Sequence, residues 1–312
     1  MLPKRYLLLG FGLSGCVDQI SADLPAPPKV LVVNSILTPD SVVRVQVSRV
    51  ASAVDTSARA LAAAEVRLLA PGQPAEVLRN QGRGLYASVR RPADGGVYTV
   101  RVQAPGYPTA QATDTLPVRV PIREAWYSFP TGTDRNNEPL GTLVVRFDDP
   151  AATRNYYELV AYQEQATPSR VIRSQDYELD VRGNAALAAE GDAEFMPATL
   201  VFSDQLFNGQ AFELRATFKA QGYGSGGTVN GQPVPPRVLG SVRVVLRTVS
   251  RAYYQYRKSW TRHLYNQGTH GPNGNLAQLL FLGDPTRMYS NVEPGYGVVV
   301  GHAQEDRVVP LR

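Results

Sequence analysis

Val97-Tyr98-Thr99-Val100-Arg101-Val102 alternates its side chains with a period of two. In a strand successive side chains point to opposite faces, so Tyr98, Val100 and Val102 share one face while Thr99 and Arg101 share the other. That is the pattern of a half-buried strand. Asp94-Gly95-Gly96 before it and Ala104-Pro105-Gly106-Tyr107 after it supply the turns that end it.

The same signal recurs toward the N-terminus. Val43-Arg44-Val45-Gln46-Val47-Ser48 alternates in the same way, and residues 30–37 form a β-branched run closed by Pro39-Asp40. Residues 65–69 read as another strand. Residues 76–79 and 85–89 flank Gln81-Gly82-Arg83-Gly84, a hairpin signal. Short strands separated by turns at this spacing predict an antiparallel sandwich over residues 30–117.

Pro117 to Pro121 marks the boundary to a second β-rich domain, residues 118–312. Strands are expected at 122–129, 141–147, 155–162, 195–202, 211–219 and 242–246. Residues 221–236 are rich in Gly and Pro and read as a loop. One helix is expected from about 250 to 266, with Ser250 as its N-cap and Gly268 just past its end. Tyr253, Tyr256, Trp260 and Leu264 recur at spacings of three and four, which gives the helix an aromatic stripe. Arg251, Arg257, Lys258, Arg262 and His263 supply its basic part. The stripe is expected to pack on the second sandwich with the bases in water; the alternative is a surface for lipid head groups or an anionic partner. Tyr296-Gly297-Val298-Val299-Val300-Gly301 and Val308-Val309-Pro310-Leu311 read as closing strands of the second domain. The expected fold class is therefore all-β: two antiparallel sandwich-type domains in tandem, with one C-terminal helix on the second.

The N-terminus carries an address. Lys4 and Arg5 precede the apolar run Leu7-Leu8-Leu9-Gly10-Phe11-Gly12-Leu13, which is too short to span a bilayer. Leu13-Ser14-Gly15-Cys16 follows: an apolar residue, two small residues, then the sole cysteine of the chain. This resembles the lipobox of bacterial lipoproteins, with residues 1–15 as signal and Cys16 as the lipidated residue, since a thiolate is suited to accept a lipid as a thioether. Residues 16–29, with Pro25, Pro27 and Pro28, read as a tether. The expected mature protein is held on a membrane by acyl chains and has no spanning helix.

With one cysteine there is no disulfide framework, so the fold stands on its cores. The 32 basic residues face 27 acidic ones, and loss of Lys4 and Arg5 with the signal leaves 30 against 27, too slight an excess for a nucleic-acid binder. His263, His270 and His302 form no metal-ligand spacing. Asp148-Asp149, Asp204 and Asn208 match no calcium loop and sit where such residues shape turns. No nucleophile elbow, P-loop or dinucleotide fingerprint occurs. Neither a cofactor nor catalysis is expected.

Tyr98-Thr99-Val100-Arg101-Val102-Gln103-Ala104-Pro105-Gly106-Tyr107 resembles the end of transthyretin-like and carboxypeptidase-regulatory-like sandwich modules of the immunoglobulin type, which implies scaffold. Four further segments follow in order. They are Phe147-Asp148-Asp149-Pro150 with Asn155-Tyr156-Tyr157; Phe202-Ser203-Asp204 with Phe207-Asn208-Gly209; Thr248-Val249-Ser250 with Tyr253-Tyr254-Gln255-Tyr256; and Ser290-Asn291-Val292 with Gly295-Tyr296-Gly297. After a lipobox and a sandwich module, this set resembles the Bacteroidota outer-membrane lipoproteins grouped as domain of unknown function 4249. The resemblance implies an outer-membrane lipoprotein working beside a TonB-dependent β-barrel transporter, without enzymatic activity. Cell-surface display is expected, with the periplasmic face as the alternative, because only Asp18 supplies acid after Cys16. A structural or adhesive envelope role is the second reading and a surface hydrolase the third; the small ligand is unknown. The residues carried forward are Cys16 with Leu13, Ser14 and Gly15, and the stripe Tyr253, Tyr256 and Trp260.

Overall fold

The computed structural model describes residues 26–52, 55, 59–166, 171–174, 179–191, 200–219, 227–229, 232–234, 241–266 and 286–310. Eight strands come first: β1 Leu31–Leu37, β2 Arg44–Arg49, β3 Glu65–Leu69, β4 Glu76–Val77, β5 Arg79–Gly82, β6 Leu85–Ala87, β7 Val97–Gln103 and β8 Ala110–Thr115. β1, β2, β6 and β5 form one layer and β4, β3, β7 and β8 the other. The alternation fixes which side chains meet between them. Leu31, Val33, Val45, Val47, Val66, Tyr98, Val100 and Val102 all turn inward to one core. The chain changes layers at buried Leu78, whose N–H donates to the Val66 carbonyl at 2.8 Å while β4 pairs with β3 and β5 with β6.

The remaining elements are β9 Ile122–Thr133, β10 Pro139–Asp148, β11 Tyr156–Ala166, β12 Val171–Ser174, α1 Ala185–Ala188, β13 Leu200–Ser203, β14 Ala211–Lys219, β15 Gly227–Val229, β16 Gln232–Val234, β17 Ser241–Val249, α2 Arg251–Asn266 and β18 Val299–Val309. A β14-β10-β9 sheet covers the β11-β17-β18 layer. The core between them is aromatic, with Phe147, Tyr157, Phe202 and Phe207 in mutual ring contact. The molecule is thus all-β and sandwich-type, as expected. The segment read as a loop at 221–236 contains the small β15-β16 hairpin.

What joins the two sandwiches is the last strand. Residues 302–309 of β18 pair antiparallel with β17, but Val299, Val300 and Gly301 run parallel to Ser35, Ile36 and Leu37 of β1. One sheet therefore continues from β11 through β17, β18 and β1 to β5. Ahead of β18 the chain plugs the gap between β8 and β1. Glu293 exchanges two backbone hydrogen bonds with Gln111, at 2.8 and 2.9 Å, and Tyr296 bonds to Leu31 and Val33 at 3.0 and 2.9 Å. Val292 and Val299 enter the first core. The segment 296–301, expected to close the second sandwich, instead closes the first. The reason is backbone pairing: β2 takes one edge of β1, and among the described residues this segment fills the other. Leu116 lies in the first core and Val120 in the second, and the Val120 N–H is fixed to the Thr248 hydroxyl at 3.0 Å.

Gly297 sits at the tightest point of this seam. Its φ is +109°, and a Cβ there would stand 2.1 Å from the Val33 carbonyl oxygen. Both the left-handed backbone and the close approach demand glycine. Gly297→Ala is expected to lower stability by about 2 kcal/mol or more. Gly183→Ala, whose Cβ meets nothing within 4 Å, is expected to stay within about 0.5 kcal/mol of wild type. Urea denaturation of the two variants beside wild type checks both.

Candidate functional site

Cys16, Leu13, Ser14 and Gly15 lie outside the described residues. The aromatic stripe lies within them, and buried or half-buried charged side chains surround it.

Strand β11 divides its side chains by parity. Tyr157, Leu159 and Ala161 enter the core, so Tyr156 and Glu158 face the opposite side of the sheet, where α2 packs. Ser250 caps that helix, accepting the Tyr253 N–H on its hydroxyl at 3.0 Å. Tyr253 is buried, and its hydroxyl donates to the fully buried Glu158 carboxylate at 2.8 Å. Arg247 on β17 donates to the same oxygen at 2.5 Å. The Arg257 guanidinium on α2 lies 2.9 Å from the other. Burial alone would raise the Glu158 pKa, but Arg257 and Arg247 outweigh it and hold the carboxyl below its ordinary value. His302, edge-on to the Tyr253 ring at 5.7 Å, is pushed down to about 4 by burial and by Arg247. It is neutral at pH 7.

A second carboxylate grips the same helix. Glu190 accepts the Ser203 N–H at 2.6 Å and its hydroxyl at 2.9 Å. Its other oxygen takes the Tyr254 hydroxyl at 2.5 Å and the Lys258 ammonium at 2.8 Å. Arg257 and Lys258, expected in water, are therefore used inside the fold, because acids distant in sequence meet them there. Arg251 and Arg262 are exposed. The stripe itself is split: Tyr253 is interior, while Tyr256 and Trp260 stack at 6.4 Å in half-buried positions.

The acidic turn residues behave differently. Asp148 faces outward to Arg123 at 2.8 Å. Asp149 is buried and accepts hydrogen bonds from the Tyr157 hydroxyl and, at 2.8 Å, from the Gly209 N–H. Asp204 accepts the Asn155 N–H at 2.6 Å. Two of the quoted sequence segments thus meet through hydrogen bonds that hold the β10–β11 and β13–β14 turns together. Their oxygens are engaged by donors, and Asn208 is exposed. Among the described residues no three His, Cys, Asp or Glu gather as a metal site.

Sequence reasoning missed Glu158, Glu190, Arg247 and His302 as members of this group. A usable signal existed at Glu158, an acid set in the apolar run of a central strand, which demands buried partners.

The family model described as domain of unknown function (DUF4249) matches residues 17–307. The chain belongs to this family. The matched region contains both clusters and the seam, and covers the described fold up to residue 307. No curated protein matches. Among solved structures, the chain is similar to the FN1–FN3 domains of chicken CNTN1, at 9% identity over 72% of this chain and 60% of that one, with a TM-score of 0.27. It is also similar to the full-length major pilin SpaD of Corynebacterium diphtheriae, at 10% identity over 72% and 61%, with a TM-score of 0.18. It spans about 60% of the length of each.

What the Glu158 group does chemically is hold α2 on the sheet by mutual neutralisation. Removing one member of a buried ion pair strands the others, at a cost of about 3–5 kcal/mol. Glu158→Gln is expected to lose stability on that scale in urea denaturation, more than the exposed Arg262→Gln. His302 adds a pH signature. Its folded pKa of about 4 lies below the ordinary 6.5, so its contribution is present above pH 6.5 and lost as pH falls toward 4. Replacing it with Gln is expected to remove that part of the fall, which melting temperatures across pH 4–7 would read.

Proposed function

We propose that the chain is an outer-membrane lipoprotein of the cell surface, held by lipid on Cys16. It acts as a non-catalytic binding accessory to a TonB-dependent β-barrel transporter in nutrient uptake. The observation that carries this reading is the order of Leu13-Ser14-Gly15-Cys16, placed behind a short apolar run and shortly before β1. The tether between Cys16 and Leu31 can reach at most about 50 Å when fully extended. An anchor there acts directly on the strand at which the two sandwiches join, so the whole scaffold would ride on it as a unit.

Two observations support a binding role over catalysis. The buried acids and bases of the α2 group are committed to one another, and those of the turn cluster to structural donors. The half-buried Tyr256 and Trp260, with the Trp260 ring 6.3 Å from that of His263, offer an amphipathic margin of the kind used at protein interfaces. Among the described residues no helix is long and apolar enough to cross a membrane. Retention would then depend on the acyl chains, several of which are needed for stable anchoring.

Affinity purification from detergent-solubilised outer membranes, with wild type and Cys16→Ala side by side, tests the proposal. Wild type is expected in the membrane fraction with a β-barrel transporter in the eluate, and the variant in the soluble fraction with the transporter lost. Wild type recovered alone from the membrane would remove the transporter role and favour a structural one. Wild type found soluble would remove the anchor.

A further inference from the structure

The seam between β1 and β18 keeps one register along its length. Val32 stands opposite Tyr296, and the same offset holds from Ser35 opposite Val299 to Leu37 opposite Gly301. Tyr296 donates its N–H to the Leu31 carbonyl at 3.0 Å and accepts the Val33 N–H at 2.9 Å, and the Ser35 N–H donates to the Val298 carbonyl at 2.8 Å. Gly297, with its positive φ, interrupts the ladder between them. The Asn34 side chain spans that gap, because its Oδ1 accepts the Val298 N–H at 3.1 Å. On the inner side Leu31, Val33, Leu37 and Val299 are buried in the first core.

The two strands are parallel, so both begin at the same end of the seam. The chain from Cys16 enters β1 at that end, and β18 runs on to Val309 at the other. From Leu31 to Val309 is about 14 residues along the strand direction, or about 45 Å, against about 5 Å sideways for one strand spacing. A pull that separates the two ends of the chain therefore runs nearly along the strands. Such a load slides β1 against β18 and falls on every bond of the seam at once, whereas a load across a strand end would open them one at a time. Neither strand can escape singly. β1 leaves only by breaking from β2 and β18, and β18 only by breaking from β17 and β1. Both exits break the same seam.

We propose that this seam is a mechanical clamp, which keeps both sandwiches closed when the Cys16 end and the far end of the chain are drawn apart. Its use rests on the lipid anchor proposed above: the membrane would hold the N-terminal end while a partner gripping the second sandwich holds the other. Asn34 is the distinctive part of the clamp. Its side chain is exposed and outside the core, yet it ties the two strands where the backbone ladder is broken.

The test pulls the full chain, without lipid, between the thiol of Cys16, its sole cysteine, and its C-terminus, and reads the lifetime of the fold at constant force. Asn34 and Gln46 face each other across β1 and β2 and make a matched pair of outward-facing amides. Asn34→Ala removes one bond of the seam. Gln46→Ala removes one bond outside it, from Gln46 Nε2 to the Arg83 carbonyl at 2.9 Å. Forced unfolding follows the interactions that break at the barrier. Asn34→Ala is therefore expected to shorten the lifetime about fivefold, and Gln46→Ala to stay within about twofold of wild type. Asn34→Asp, which keeps an acceptor oxygen for the Val298 N–H, is expected to restore the lifetime. An unchanged lifetime in Asn34→Ala, equal shortening by both alanine variants, or an Asn34→Asp lifetime as short as that of Asn34→Ala would overturn the clamp. No lipid takes part in this measurement, so a wild type found soluble in the fractionation above would remove the anchor without altering the lifetimes.

Discussion

Three residues of parallel pairing, Ser35 to Leu37 against Val299 to Gly301, hold the two ends of the described chain together. Parallel neighbours cannot be joined by a tight turn, so this contact requires everything between β1 and β18 to fold back correctly. It also removes two free edges at once. β1 gains the partner that its own module lacks, and the gap beside β8 is closed by the segment through Glu293 and Tyr296. An unfilled strand edge in either place would be a template for aggregation.

The helix depends on a second constraint of a different kind. Its aromatic stripe alone would leave rotation about the helix axis weakly fixed, because apolar burial has no direction. Glu158 and Glu190, reaching α2 from the sheet face and from beside β13, supply that direction through Arg257, Tyr253, Tyr254 and Lys258. The desolvation cost of such pairs offsets much of their attraction, so their contribution is to position rather than to net stability. Asp149 and Asp204 play the same part close by, at the start of β11 and the end of β13, where they set turns.

The sequence and the structure agree where the governing interactions are local. Val97 to Val102 alternates because one face is buried, and that period can be read without knowing what covers it. The helix was legible for the same reason: Ser250 caps it, and the stripe repeats within two turns. The parallel pairing was not legible, because its partners are separated by most of the chain and carry no turn between them. Gly297 is informative only once Val33 is known to lie against it. Arg257 and Lys258 look solvated on a helical projection, and nothing nearby in sequence announces the acids that bury them. For the candidate site, Tyr253 was legible as part of a stripe, but its hydroxyl's partner was not.

Since β18 belongs to both sandwiches, the first cannot be complete without it. The most direct measurement is the fold of residues 30–117 expressed alone, read by amide dispersion in NMR and by the cooperativity of its unfolding. Without Val292, Val299 and the strand beside β1, the fragment is expected to be unfolded or aggregated, with narrow dispersion and no cooperative transition. A well-dispersed spectrum and a sharp unfolding transition for the isolated fragment would contradict the dependence of the first sandwich on the far end of the chain.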